Sequence, residues 1–338
     1  MTRRDVGERA VHSALRKAAS AWEMARWFAN PRSNPGFLIV TYHRILEQCD
    51  PYDARGVVRR SVFENQLRML KRCCAVLPLP EVIDRIDRGA PLPRRCVALT
   101  FDDGYRDFST LAWPLLRRYR LPATLFVTVQ ALERGFLWPD LLRHAIRHTK
   151  ATHVTLKTLE ATGPWTARLT NQAERLQAVQ QLSARLKVLR HDEKENVLQA
   201  LVDNLFDDRG SPDASLPSRL TLSWQELETL VSEGLDIGAH TMTHPSLAYL
   251  PEHEAAEEIR LSRQVLEQRL GKPIAHFCYP HGTASDVSPQ VQRLVQAAGF
   301  RSACTTLNGI NRCSTDRFLL KRIDANQRAW NLLVQVAR

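Results

Sequence analysis

The chain has 338 residues, 44% of them hydrophobic, with a formal charge of +11 and seven cysteines. That length and apolar content fit a soluble globular protein with one large α/β domain or two ordinary ones. An odd cysteine count, the adjacent Cys73 and Cys74 and the lack of CxxC spacing exclude a disulfide framework or a cysteine metal cluster.

The positive balance points to an acidic partner such as nucleic acid, phospholipid headgroups or an anionic glycan. Because the basic residues are dispersed rather than interleaved with aromatics, no nucleic-acid module is expected. In the N-terminal segment, 1–36, Val11, Leu15, Ala18, Trp22, Ala25 and Ala29 follow a helical period, and Arg9, Arg16, Lys17 and Arg26 lie elsewhere on the helix. Such a basic amphipathic helix suits either packing on the main domain or peripheral contact with an anionic membrane surface. No uninterrupted apolar stretch of the kind a signal peptide needs occurs there, so the expected location is cytoplasmic, with association to the inner membrane face left open.

From residue 37 onward, short β-rich runs alternate with helical patterns. The runs are FLIVTY (37–42), CVALTF (96–101), ATLFVTV (123–129), LDIGAH (235–240), AHFCYP (275–280) and SACTT (302–306). Helical patterns include FENQLRMLKR (63–72), LAWPLLRRYR (111–120) and HEAAEEIRLSRQVLEQRLG (253–271). The alternation predicts right-handed βαβ units around a mainly parallel sheet, open or closed into a barrel. At about 137–222 the rhythm gives way to a long polar helical stretch, which divides the domain into 37–136, a helical insertion at 137–222, and 223–338.

Polar residues fall where the strands end. His43 follows FLIVTY, Asp102 and Asp103 follow CVALTF, His240 follows LDIGA and His281 follows AHFCYP. If the strands are parallel, these groups gather at the carboxyl-end face, where α/β folds build active sites. HTMTHP (240–245) brings two imidazoles to one side, and two histidines with one carboxylate form the ligand set of a hydrolytic metal site. Neighbouring aspartates repel unless a cation is near, and on extended backbone their side chains point apart. One can ligate while the other acts as a general base, and Gly104 lets the chain bend behind them.

TFDDG (100–104), HTMTHP (240–245) and FCYPHG (277–282), in this order and each preceded by a strand, resemble the signature segments of the polysaccharide deacetylase family, carbohydrate esterase family four. The likeness runs from YHRI at 42–45 to about Ile323. It implies a distorted (β/α) barrel of about seven parallel strands and hydrolysis of an N-acetyl group on an amino sugar in a surface polysaccharide or its lipid-linked precursor. The resemblance further implies Asp102 as base and Asp103, His240 and His244 as ligands of a divalent ion, zinc first, with cobalt, nickel or iron as alternatives. It gives the His281 backbone N–H a place in the oxyanion hole. An O-acetyl esterase or deformylase acting on a related sugar, or a catalytically silent glycan-binding protein, would keep the same motifs.

The chain departs from the family pattern in two ways. Cys278 stands where many members carry an arginine paired to the base, and no histidine follows His281 to protonate the leaving amine. The expectation is that His43 or His281 donates that proton and that Arg322, in LKRID, orients Asp102. If His43 is the acid, Ala or Gln in its place lowers turnover by about 10²-fold or more. Unchanged turnover with metal binding intact removes His43 from that role.

Overall fold

A strand in a parallel sheet is covered on both faces, so it reads as a continuous apolar run. Phe37–Tyr42 and Cys96–Phe101 show this directly, since every residue of both is buried. The computed structural model describes residues 27, 36–52, 56–157, 163–206 and 219–325.

Among these residues the strands are β1 (Phe37–Tyr42), β2 (Arg44–Leu46), β3 (Val57–Arg59), β4 (Ala75–Val76), β5 (Cys96–Phe101) and β6 (Thr124–Val127). They continue with β7 (His153–Leu156), β8 (Trp165–Arg168), β9 (Asp236–Ala239), β10 (His276–Cys278), β11 (Ser302–Cys304) and β12 (Ile323–Asp324). Each of the six apolar runs contains one of these strands. The main sheet follows the order β11-β10-β9-β6-β5-β1-β12, with β4 beside β5, and all its pairings are parallel. These seven strands curve into a distorted barrel. At the seam, Leu320 bridges Cys304, and three residues later Ile323 pairs with Val40, so the segment carrying Arg322 joins the two ends of the path.

The register lines up the strand ends. Tyr42 lies opposite Phe101 and Val127 opposite Ala239, so His43 sits beside Asp102, and His240 follows at the same level. Two backbone hydrogen bonds extend the ladders past the strands, from Asp102 N–H to the Tyr42 carbonyl and from His240 N–H to the Val127 carbonyl, each at 3.0 Å. Beneath this face Tyr42, Phe63, Phe101 and Phe108 pack ring against ring, with centroids 4.8 to 5.9 Å apart. The helix expected at 111–120 spans Trp113–Tyr119 and is preceded by one wider turn at Phe108–Ala112.

Residues 138–206 form a lobe with its own core. Helices Trp138–His148, Gln172–Leu186 and His191–Leu205 and the β7–β8 hairpin bury Leu142, Ile146, Leu182, Leu186, Leu198 and Leu201 together. Asn171 starts the second of these helices by accepting the Glu174 N–H at 3.0 Å. Ion pairs join the lobe to the barrel, including Lys187 with Asp286 at 2.8 Å and Arg190 with Glu254 at 2.6 Å.

The expected N-terminal amphipathic helix lies outside the described residues. Trp27 is described; it is buried in the main core and donates its indole N–H to the Gly36 carbonyl at 3.2 Å. No helix among the described residues is long and apolar enough to cross a membrane.

Two separate cores imply that the lobe can loosen without opening the barrel. Leu182→Ala removes a fully buried side chain from the lobe and should cost about 2–5 kcal/mol there. Hydrogen exchange should accelerate over 172–205 while β1, β5 and β6 stay protected. Equal loss of protection in the strands would show a single cooperative unit.

Candidate active site

The strand-end residues converge on two adjoining clusters. In the first, the Asp102 carboxylate is gripped by the Arg322 guanidinium: Nη1 donates to Oδ1 at 2.7 Å and Nη2 to Oδ2 at 2.6 Å. Arg322 has no exposed side-chain surface, and Asp102 is 2% exposed. The arginine is fixed from behind, with Nε donating to the Thr305 carbonyl at 2.8 Å and Nη1 reaching Thr100 Oγ1 at 3.3 Å. Burial alone would raise the Asp102 carboxyl, but the paired guanidinium outweighs it and holds the group below the usual carboxylate range.

Two further groups face this carboxylate. The Cys278 thiol donates to Asp102 Oδ2 at 3.6 Å, and burial pushes that thiol up to about 11, so it remains protonated at neutral pH. His43 Nε2 lies 3.8 Å from the same oxygen, beyond hydrogen-bond range. The His43 ring packs on Gly56, whose φ of +92° few other residues adopt; a Cβ there would stand 2.6 Å from His43 Nδ1.

Asp103 turns the other way. Its φ of 76° swings the side chain off the strand direction, and Gly104, at φ 81°, continues the bend. Asp103 Oδ1 then lies 3.4 Å from His240 Nε2 and 3.3 Å from His244 Nε2. The Cys278 carbonyl fixes the His240 tautomer, because it must accept a proton from Nδ1 at 2.7 Å, which leaves the Nε2 lone pair facing Asp103. Asp103 Oδ1 has no hydrogen-bond partner among the described residues.

Three buried donor atoms, a carboxylate oxygen and two imidazole nitrogens, lie within 4.8 Å of one another, the arrangement a metal-ligand set takes. This set fits a borderline divalent ion such as zinc. A second grouping, Asp102 with His240 and Cys278, fits less well, since its thiol stays protonated and its carboxylate is already committed to Arg322.

The loops around these donors are tightly specified. His240 and His244 sit in an irregular loop rather than on a helix, with Thr241 at φ 68° and His244 at φ 62°. Glu258 holds that loop by accepting the Met242 and Thr243 N–H groups at 2.8 and 3.0 Å. The Trp138 indole N–H donates to the His244 carbonyl at 3.1 Å, so the lobe braces a candidate ligand.

His281, at φ 61°, places its ring 5.0 Å from that of His244. Its turn is pinned by Asp286, which accepts Ser246 Oγ–H at 2.6 Å and Thr283 N–H at 3.1 Å while pairing with Lys187. Burial, with His244 and Lys187 adding to it, pushes the His281 imidazole well below its ordinary value.

The structure therefore brings Asp102, Asp103, His240, His244, His43, His281 and Arg322 to one face. Sequence reading missed Glu258, Asp286 and the Trp138 brace. Of these, the Thr-x-x-Asp spacing at 283–286 carried a usable signal, because it matches a local side-chain-to-backbone capping pattern.

The polysaccharide deacetylase profile matches residues 89–303. The chain belongs to that family. The poly-beta-1,6-N-acetyl-D-glucosamine N-deacetylase of Escherichia coli is 30% identical over 95 residues, which cover 28% of this chain and 14% of that protein. Among solved structures, a Streptococcus pyogenes deacetylase, PplD, matches 90% of this chain and 100% of its own at 18% identity and a TM-score of 0.59. IcaB from Ammonifex degensii matches 90% of this chain and 97% of its own at 18% identity and a TM-score of 0.57. At such identities the structural likeness concerns the fold, and it agrees with a (β/α) barrel.

Removing one partner of the Arg322–Asp102 pair strands a buried charge. Arg322→Met should therefore destabilise the protein by about 3–5 kcal/mol. Adding Asp102→Asn should recover much of that loss, since no uncompensated charge remains. Denaturant unfolding of the two single variants and the double variant measures the coupling, and strictly additive losses would contradict it.

Proposed function

We propose that the chain is a metal-dependent hydrolase that removes the N-acetyl group from an amino sugar in a surface polysaccharide or its lipid-linked precursor. One observation carries this reading: an arginine-held, ionised carboxylate stands one residue from a three-donor metal cluster. The matched Escherichia coli protein, named for poly-beta-1,6-N-acetyl-D-glucosamine deacetylation, supports the choice of an amino sugar.

A divalent ion held by Asp103, His240 and His244 would polarise the acetamide carbonyl and lower the pKa of a water molecule. Asp102 takes the proton of that water as attack begins; the Arg322 fork keeps the carboxylate anionic and fixes its orientation. The His281 backbone N–H donates to the developing oxyanion from a turn that Asp286 holds in place. The carbon–nitrogen bond breaks, acetate keeps the water oxygen, and the amine leaves with a proton.

His43 is the proposed source of that proton. It is half-buried on the same face as Asp102, whereas His281 is buried beside His244 and Lys187, which disfavour its protonated form. The reading includes a cytoplasmic location, with the basic N-terminal segment meeting the inner membrane face.

Metal-stripped protein resupplied with zinc, cobalt or nickel should release acetate from N-acetylglucosamine oligomers or a lipid-linked N-acetyl sugar. Asp102→Asn should lower that release by about 10²-fold or more with metal content unchanged. No release from any of these substrates by protein with its ion bound would overturn N-deacetylation and direct attention to another acyl group.

A further inference from the structure

A pocket of about 230 Å³ that the reaction above does not use is lined by Arg44, Tyr52, Asp140, Arg143, His144 and Arg147 among others. Two of its arginines are preset by buried carboxylates. Arg44 Nε donates to Asp107 Oδ2 at 2.8 Å, and Asp107 also accepts the Ile45 N–H at 2.8 Å. Arg143 Nη2 donates to Asp140 Oδ1 at 2.5 Å, and Asp140 further accepts from the Tyr105 hydroxyl at 3.0 Å and the Leu137 N–H at 2.9 Å. Arg147, more exposed, pairs with Asp50 at 2.7 Å and lies 5.4 Å over the Tyr52 ring.

The three carboxylates offset the three guanidinium charges, so net field is not what distinguishes the pocket. Oriented donors are. Each guanidinium carries five N–H groups and spends one on the carboxylate contact described, while the carboxylates are further occupied by backbone or hydroxyl donors. His144 adds a buried Nε2 with no hydrogen-bond partner among the described residues, and its ring centroid lies 4.3 Å from that of His148 with the planes tilted by 34°. Planar forks with unspent donors match the paired oxygens of carboxylate and phosphate. The Tyr52 ring supplies an apolar face of the kind that suits a sugar.

The pocket shares a wall with the catalytic face. Helix Trp138–His148 begins at the residue that braces His244 and carries Arg143, His144 and Arg147 further along. At 1.5 Å per residue, Arg143 stands about 7.5 Å beyond Trp138. Tyr105, two residues after Asp103, touches both Asp140 and Arg44. We infer that this pocket is a substrate subsite for an oxyanion, carboxylate or phosphate, carried next to the N-acetylated sugar. The assignment rests on the deacetylase reading and narrows its substrate to an acidic glycan or a sugar phosphate.

The test uses metal-loaded full-length protein and two matched pairs of substrates. One pair is an oligosaccharide of alternating N-acetylglucosamine and glucuronate with its carboxyl-reduced counterpart; the other is N-acetylglucosamine 1-phosphate with N-acetylglucosamine. In one pair, which identifies the oxyanion, the acidic member should show a KM lower by about tenfold, the scale of one charge-assisted hydrogen bond. Arg147→Gln and Arg147→Glu should erase that preference by raising KM on the acidic member toward that on the neutral one. Equal KM values within both pairs, or a preference surviving both variants, would overturn the inference. If nothing is deacetylated, the catalytic reading has failed, and calorimetric binding of the same compounds decides separately. Tighter binding of an acidic member, lost in Arg147→Glu, supports the subsite, and equal binding overturns it.

Discussion

Much of the site depends on one buried ion pair. Two charges taken out of water cost several kcal/mol each, and they are retained when the geometry returns that cost. Here the geometry is a two-point fork between Arg322 and Asp102, backed by the Thr305 carbonyl. Arg322 comes from the segment that closes the barrel, between the Leu320 bridge to β11 and the pairing of β12 with β1. The segment that closes the fold thus also carries the charge that favours the ionised form of the candidate base. The positive charge that many family members place at the position of Cys278 reaches the carboxylate from the seam instead, and the small neutral thiol leaves room for it.

Around this pair the chain accepts local strain to aim its donors. Asp103, Thr241, His244 and His281 all have positive φ without being glycine, conformations that persist when surrounding contacts over-determine them. Those contacts are visible: Glu258 under the 241–244 loop, Asp286 under the 281–286 turn, and Trp138 against the His244 carbonyl. Lys187 and Trp138 belong to the lobe, so the insertion is part of the site's support rather than an appendage. Lys194, on the same lobe, lies 5.0 Å over the Trp138 ring and extends that support by a cation–π contact.

The barrel was legible because parallel strands covered on both faces leave unbroken apolar runs, and because the active face of such a fold is known once strand direction is known. That logic places His43, Asp102, Asp103, His240 and His281 at one face from the sequence alone. The expectation that Arg322 orients Asp102 came from the need for a positive charge beside the base and not from the strand ends, since the two meet across 220 residues of sequence, no local pattern encodes the pairing, and LKRID also reads as an ordinary surface charge. Roles for the aspartates came from the family resemblance, since spacing could not separate base from ligand. Glu258 stayed hidden because it is a single acid on a helix whose partners lie in the 241–244 loop, and the Thr-x-x-Asp spacing at 283–286 gave no sign of the Ser246 and Lys187 contacts that Asp286 makes from other segments.

The central claim, that the Arg322 fork sets the working state of Asp102 beside the metal cluster, is tested most directly by Arg322→Lys with metal content and kcat measured on the same sample. Lysine keeps the charge and loses the planar two-point grip. The account predicts one bound ion, as in the parent protein, and a kcat lower by at least about tenfold. Parental turnover with the ion bound would contradict it.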